Sequence, residues 1–450
     1  MTPRIALAAD LSNRDPELPF VARTLMPREL QINALMAVAL GALEGGLLGV
    51  IVKNGFSGVA GGPTINLAVA LVTGAPAFAN VASLIFANLA HGRPKTRWVA
   101  SLMAVCALAA LMIAAAPVSA AGLVWLVVWM VVARLAWAGV ITLRAAIWRA
   151  NFPRRVRARI TGRIAVTYSL LIAATSAGIG VAMEFDSEAW RLMYPVTAAL
   201  GVLAAWRYRR FTVRGHGRLL REELASRGGR IRLRDAVEVL RVDRWYRRYM
   251  ATMFVFGSGN LMVIALLVVL LAEQLGVSRL GQVLITTTMP LLALAALTPI
   301  WARRLDRVHI LDYRAFHAWT FVLAMALFVP GAIFGQVLLF WAGAGALGAA
   351  FAGGRLGWNL GHNDFASDAH STLYMSIHVT LTGVRGLIAP LVGVALYQWL
   401  ESTGAGNGRF VLLFPFMLTL AGAITFVILA RLRRREVGEL RSPPPPASSK

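Results

Sequence analysis

The sequence predicts an all-α membrane protein, with twelve transmembrane helices arranged as two six-helix bundles. Three observations predict it. Of 450 residues, 58% are hydrophobic and 15% charged, against about 25% charged in a typical soluble chain. The apolar residues lie in runs that suit a hydrocarbon core of about 30 Å, which takes roughly 20 residues per helix. The basic residues, 45 Lys+Arg against 21 Asp+Glu, concentrate in alternate loops.

Taken in order, and broken at Gly, Pro and Arg clusters, the apolar runs cover 30–53, 62–90, 98–116, 121–147, 161–183, 190–206, 249–275, 281–302, 315–334, 336–358, 373–400 and 410–431. The sixth run is short. The split between the ninth and tenth rests on Pro330, Gly331 and Gly335. An even count places both termini on one side. Loops on that side hold 38 of the 45 basic residues. The opposite side holds Lys53, Arg191, Arg279 and Arg409, and Arg134, Arg355 and Arg385 fall inside spans. Cytoplasmic loops carry such an excess, so both termini are expected in the cytoplasm and the protein in a cell inner membrane. The same rule accounts for the net charge of +24 and removes most of the case for nucleic-acid binding, so no nucleic-acid partner is expected. The first 28 residues carry Asp10, Asp15, Glu17 and four arginines before any long apolar run, unlike a secretory signal.

The longest polar stretch, 207–248, divides the chain into a bundle at 29–206 and another at 249–432. The tails are 1–28 and 433–450, the latter a disordered segment by its Pro443–Pro446 run. Within the linker, Leu233, Ala236, Val237 and Leu240 fall at helical spacing and form a short amphipathic helix, for the inner leaflet, the bundle ends or solvent. The halves repeat weakly. A shift of 213 residues lays span five on span eleven, matching Phe152 with Phe365, Val166-Thr167 with Val379-Thr380, and Gly180-Val181-Ala182 with Gly393-Val394-Ala395.

One cysteine, Cys106, excludes an intramolecular disulfide, a cysteine zinc site and an iron–sulfur cluster, and reads as a small buried residue. There is no P-loop, no Gly-x-Ser-x-Gly elbow, and no His pair at zinc spacing on one helix. No enzyme, cofactor or resident metal is expected. His362, Asp364, Asp368 and His370 supply metal-ligand types, but their spacing matches no metal motif.

With six plus six spans, a basic central loop and cytoplasmic termini, residues 28–435 resemble a major facilitator superfamily (MFS) transporter. The family's loop signature, G-x-x-x-D-R-x-G-R-[RK], is matched after span eight by Ala302-Arg303-Arg304-Leu305-Asp306-Arg307-Val308-His309. There the Asp-Arg core stands and both glycines are replaced. After span two, Asn88-Leu89-Ala90-His91-Gly92-Arg93-Pro94-Lys95 keeps only the basic character. Arg134, with Gly139 five residues on, matches the family's arginine and glycine in span four. The Gly-Pro signature of its drug/proton antiporters is missing from span five, which has Gly178 and Gly180 but no proline. The resemblance implies a secondary active transporter working by alternating access. It also implies that spans one, four, seven and ten line a central cavity, placing Glu44 and Arg134 in facing walls.

An ionisable group inside the bilayer is costly enough to need a reason. Glu44 and Arg134 are read either as a titrating carboxylate with the arginine that stabilises its charged form, which would couple transport to a proton, or as a static ion pair or a lone substrate-binding charge. Asn33 lies eleven residues before Glu44, three turns away on the same face. Gly41, Gly45 and Gly49 read as packing residues. Trp137 is deep enough to stack on a substrate. Asn260 lies in a polar stretch of span seven beside Ser258. Tyr374, His378, Thr382 and Arg385 share one face of span eleven, as a proton or substrate path or as an internal hydrogen-bond seam. Arg385, near mid-membrane, calls for an anionic partner: Glu44, or a carboxylate or phosphate of the substrate. The loop 359–370 has no basic residue, whereas its repeat counterpart 151–163 carries five arginines. Asp364 and Asp306 with Arg307 are therefore expected to face Arg159 and Arg163 across the halves as a cytoplasmic gate. The expectation is a monomeric transporter of a small anionic or amphipathic solute. The alternative is a membrane sensor or assembly protein that kept the fold without transport.

Overall fold

Residues 19–225, 233–367 and 370–441 are described by the computed structural model. Most of the N-terminal tail, Asp368 and the proline run lie outside them. Every regular element among the described residues is a helix, with no strand among them. The first span is two helices, α1a (Phe20–Ala42) and α1b (Gly45–Gly55). After it come α2 (Gly62–Phe78, continued by a short turn and a helix to Leu89), α3 (Lys95–Ala114), α4 (Ala120–Asn151), α5 (Arg154–Phe185) and α6 (Trp190–Arg209). The second half holds α7 (Arg244–Glu273), α8 (Arg279–Leu305), α9 (Ile310–Phe334), α10 (Val337–Leu360), α11 (Ser371–Thr403) and α12 (Leu413–Arg441). A π-turn, Leu284–Thr288, interrupts α8.

Eleven of these are long and apolar enough to cross a membrane. The remaining one is α6, the short sixth run of the sequence. Its polar ends, with Arg191, Arg207 and Arg209, lower its hydropathy. It nevertheless buries Trp190, Tyr194 and Tyr208 against the bundle, and Arg191 Nη1 donates to the Ala114 carbonyl at the end of α3 (2.8 Å).

Local chemistry sets several boundaries. Ser119 starts α4 by accepting from the Gly122 amide (3.1 Å), and Asp243 starts α7 by accepting from Tyr246 N–H (2.8 Å). Gly335 ends α9 in the left-handed region, at φ 69°. Helices α4 and α5 run 32 residues each, about 48 Å, which carries their ends beyond a hydrocarbon core. The linker helix Leu233–Val242 lies against α7 and α11, with Ala236 and Leu240 packed on the core. Large apolar side chains are exposed around the outside, among them Val124, Leu192, Leu338 and Trp399. A chain apolar both inside and outside suits a hydrocarbon surrounding.

The first bundle packs α3 against α4 and α6, and α1a against α5 and α6. The second packs α8 and α9 on α10, and α7 and α9 on α12. Contact between them runs along α2 with α11, α5 with α8, and α1b with α7. At the α2–α11 crossing the backbones nearly touch. A Cβ on Gly386 would sit 2.4 Å from Phe78 N, and one on Gly74 would sit 2.6 Å from the Gly386 carbonyl oxygen.

Candidate functional site

The break in the first span organises one wall of the site. The chain leaves the helix at Leu43–Glu44, where Glu44 is extended (φ −70°, ψ 135°), and restarts at Gly45. A broken helix leaves carbonyls without intrahelical partners, and inside a bilayer no water replaces them. Side chains from three helices do so. Ser176 of α5 donates to the Gly41 carbonyl (2.9 Å), Tyr194 of α6 to Ala42 and Arg134 of α4 to Leu43. The same Arg134 Nη2 lies 3.2 Å from the Glu44 carboxylate. Arg134 is nearly buried, whereas the Glu44 side chain is 29% exposed and can meet a solute or a proton.

Glu44 and Arg134 face a cavity of about 480 Å³ between the bundles. On the first bundle's side Trp137 is stacked on Tyr168 (centroids 6.0 Å apart, planes 5° apart). On the other side stand Asn260, Trp358, Arg314, Arg355 and Arg385. Glu44 is the one acidic residue in this lining, against four arginines. Both the α1 break and the π-turn of α8 line the cavity, and they meet there. A Cβ on Gly46 would lie 2.2 Å from Thr287 Oγ1, so two irregular backbones abut there.

Beyond that point, at the bundle end away from both tails, the halves are bonded together. Lys53 of α1b donates to Asn66 Oδ1 (2.6 Å) and pairs with the Glu273 carboxylate at the end of α7. Asn66 Nδ2 (3.1 Å) and the Tyr397 hydroxyl (2.5 Å) also donate to Glu273. Asn54 donates to Gln282 Oε1 (3.0 Å), and the Leu280 amide to Glu184 Oε1 (2.6 Å).

The predicted residues separate into groups. Glu44, Arg134, Trp137, Asn260, Thr382 and Arg385 line the cavity. Glu44 and Arg134 are bonded neighbours in one wall rather than on facing walls, because Arg134 caps the break at Leu43 and so meets Glu44 beside it. Asn33 lies away from the cavity. It donates to Glu29 Oε1 (3.0 Å) and accepts from Arg144, a cluster completed by Trp148 Nε1 donating to Glu29 (2.8 Å). Of the α11 stripe, His378 is buried behind the cavity wall, and Tyr374 is near the linker, its hydroxyl donating to Asp243 Oδ2 (2.9 Å). Asp364 accepts the Ile310 amide (2.6 Å), tying loop 359–370 to the start of α9 within its own bundle. Beside it, burial and then Arg433 hold the His309 imidazole below its ordinary value, while Asp364 and Asp312 pull it upward. Asp306 and Arg307 follow the end of α8, with no ion pair among the described residues. Arg159 and Arg163 lie exposed on α5, each with an interaction partner. Arg314, Arg355 and Tyr168 belong to the cavity although no motif singles them out. Arg314 reads as a loop residue in sequence, but His317, one turn on, marks a polar face in an otherwise apolar helix.

Solved structures share this architecture. A mutant form of the nucleoside transporter NupG superposes with a TM-score of 0.70 at 13% identity, covering 90% of this chain and 99% of that one. The D-xylose-proton symporter gives 0.68 at 12%, covering 89% and 96%. A bacterial homolog of the human lysosomal transporter Spinster, inward-facing and occupied, gives 0.66 at 13%, covering 91% and 96%. The fold is that of the major facilitator superfamily. No family model matches the sequence, and no curated protein matches it. In an MFS-type fold two bundles meet at a central space. The arginine-rich cavity and the Lys53–Glu273 network lie along that meeting surface.

Proposed function

We propose that this chain is a secondary active transporter that moves a small anionic solute across a cell inner membrane by alternating access. The observation that carries the reading is the cavity between the bundles, where four arginines and a single carboxylate face one space. A cavity with that excess of positive charge favours an anion over the neutral sugars and nucleosides named for the structural neighbours. The polar network at the far end supports alternating access, since a seam made of a few hydrogen bonds and one ion pair can open and re-form. Basic loops on the side of the tails put those tails in the cytoplasm, so the bonded end faces outward.

Proton coupling belongs to the same proposal. Glu44 is partly exposed to the cavity and held by Arg134, so a proton arriving at Glu44 would free the arginine for a solute. Proton symporters among the structural neighbours are in line with this. On the cytoplasmic side we assign Asp306, Arg307, Asp364, Arg159 and Arg163 to a gate that engages when the outer network opens. Asp364 would then exchange its Ile310 amide for an arginine of α5.

The test is counterflow in proteoliposomes loaded with a panel of organic and inorganic anions. Saturable exchange of an anion, lost in Arg134→Gln and altered in its pH dependence by Glu44→Gln, is the expected result. A folded protein that binds an anion yet exchanges none of the panel would favour a sensor instead.

A further inference from the structure

The second bundle contains two buried arginines with no counter-charge among the described residues. Arg314 is 1% and Arg385 3% exposed, both reach the cavity, and no carboxylate among the described residues pairs with either. Each keeps an Nε with no hydrogen-bond partner. Around them stand other buried groups with unused capacity. No acceptor lies within reach of the Tyr249 hydroxyl, both ring nitrogens of His378 are unpartnered, and so is His362 Nδ1. The Tyr249 hydroxyl is beside Arg314, and His378 lies within electrostatic reach of Arg314, Arg385 and His362. Buried charge without a partner is strongly unfavourable, so such a cluster is expected to meet its counter-charge from outside the chain.

The arginines are also positioned. Arg385 rests on Gly257 of α7, where a Cβ would come within 2.3 Å of Nη1, and Arg314 rests on Gly357 of α10, where a Cβ would lie 2.9 Å from Cζ. Thr382 accepts from Arg385 Nη2 (2.9 Å) and from Trp358 Nε1 (3.1 Å). His317 Nε2 lies 2.8 Å from the Ala350 carbonyl and donates to it. That leaves Nδ1 as the acceptor 3.3 Å from Arg314 Nη1, so a neutral His317 is a positioning residue.

We propose that α7, α9 and α11 hold a seat for a doubly charged oxyanion of the phosphoryl type, and that the transported solute carries that group. The inference rests on the transport reading of the cavity and adds the chemical class of the substrate. A single carboxylate would leave one guanidinium uncompensated. A phosphate monoester brings close to two negative charges and three acceptor oxygens, which match the two guanidiniums that reach the cavity.

The experiment uses the purified full-length protein in detergent, titrated calorimetrically and by thermal unfolding. Methyl phosphate is the probe, with acetate, succinate and chloride as controls at matched ionic strength. Methyl phosphate is expected to bind saturably and raise the unfolding temperature. Affinity should rise with pH through the second phosphate ionisation at about pH 6. The charged groups lining the cavity at the seat are Arg314, Arg385, Arg355, Arg134 and Glu44, and the titratable groups packed behind that lining are Tyr249, Tyr313, His317, His362, His378 and Asp364. A histidine gaining a proton would strengthen anion binding as pH falls, the opposite sign. Arg385→Gln and Arg314→Gln should each weaken binding about tenfold or more, the scale of a lost charged hydrogen bond. If the glutamine variants fail to fold, the pH profile of the unmutated protein and the charge-keeping Arg385→Lys decide between the outcomes. Acetate or succinate binding as well as methyl phosphate, a flat pH profile, or unchanged affinity in a folded Arg385→Gln would overturn the proposal. Counterflow run alongside separates the two readings. Exchange of some other solute without methyl phosphate binding overturns the seat and leaves transport standing; binding with no exchange of any anion upholds the seat and overturns transport.

Discussion

The two bundles treat buried arginine in opposite ways. In the first, Arg134 spends its donors inside the chain, on the Glu44 carboxylate and on a carbonyl freed by the break in α1. In the second, Arg385 and Arg314 sit on glycines with backbone and hydroxyl partners but no carboxylate. The difference teaches that an intramembrane arginine is not one kind of feature. Where the chain supplies the counter-charge, the arginine is held until that carboxylate takes a proton; where it does not, the arginine is available to a ligand from the start.

The largest effect expected from this contrast is on stability without ligand. Arg134→Met leaves the Leu43 carbonyl and Glu44 without their partner and should cost about 3 kcal/mol, read as a fall in unfolding temperature in detergent. Arg385→Met removes an uncompensated charge and should leave the ligand-free protein as stable as before, or about 1 kcal/mol more stable. Equal losses in the two variants would break the comparison. A smaller effect is expected at the carbonyl caps. Tyr194→Phe orphans the Ala42 carbonyl and should cost about 1–2 kcal/mol, with Ser176→Ala near the lower value. Smaller again is the outer seam. Glu273 keeps Asn66 and the Tyr397 hydroxyl as donors, so Lys53→Met should weaken closure by only about 1 kcal/mol. Labelling of a cysteine placed at Gln282 would check it: faster labelling in Lys53→Met sharpens the gate assignment, and an unchanged rate removes Lys53 from it.

Much of the fold is legible in the sequence because hydropathy and arginine asymmetry are properties of whole segments. Even α6, which falls short as an apolar span, is placed by its position between Arg191 and the basic linker. The site is legible only where charge stands alone in an apolar run, as with Glu44, Arg134 and Arg385. The break at Leu43–Glu44 is not, because Gly41, Gly45 and Gly49 fit helix packing as well as they fit an interruption, and the caps that make a break tolerable come from α4, α5 and α6. Arg314 reads as a loop residue because α9 starts at Ile310, before the apolar run begins. Arginine near a helix end reads the same whether it reaches water or turns inward, and only tertiary packing decides. Asn33 shares a helical face with Glu44 only if the helix is continuous, and the break removes that relation.

The central claim is that the counter-charge of Arg314 and Arg385 is the transported solute. Its most direct test is counterflow of radiolabelled methyl phosphate in proteoliposomes, comparing the unmutated chain with Arg385→Gln and Glu44→Gln. The account predicts saturable exchange in the unmutated chain, loss in Arg385→Gln, and retained exchange with an altered pH profile in Glu44→Gln. Exchange that survives in a folded Arg385→Gln, or no exchange in an unmutated chain that exchanges another solute, would contradict it.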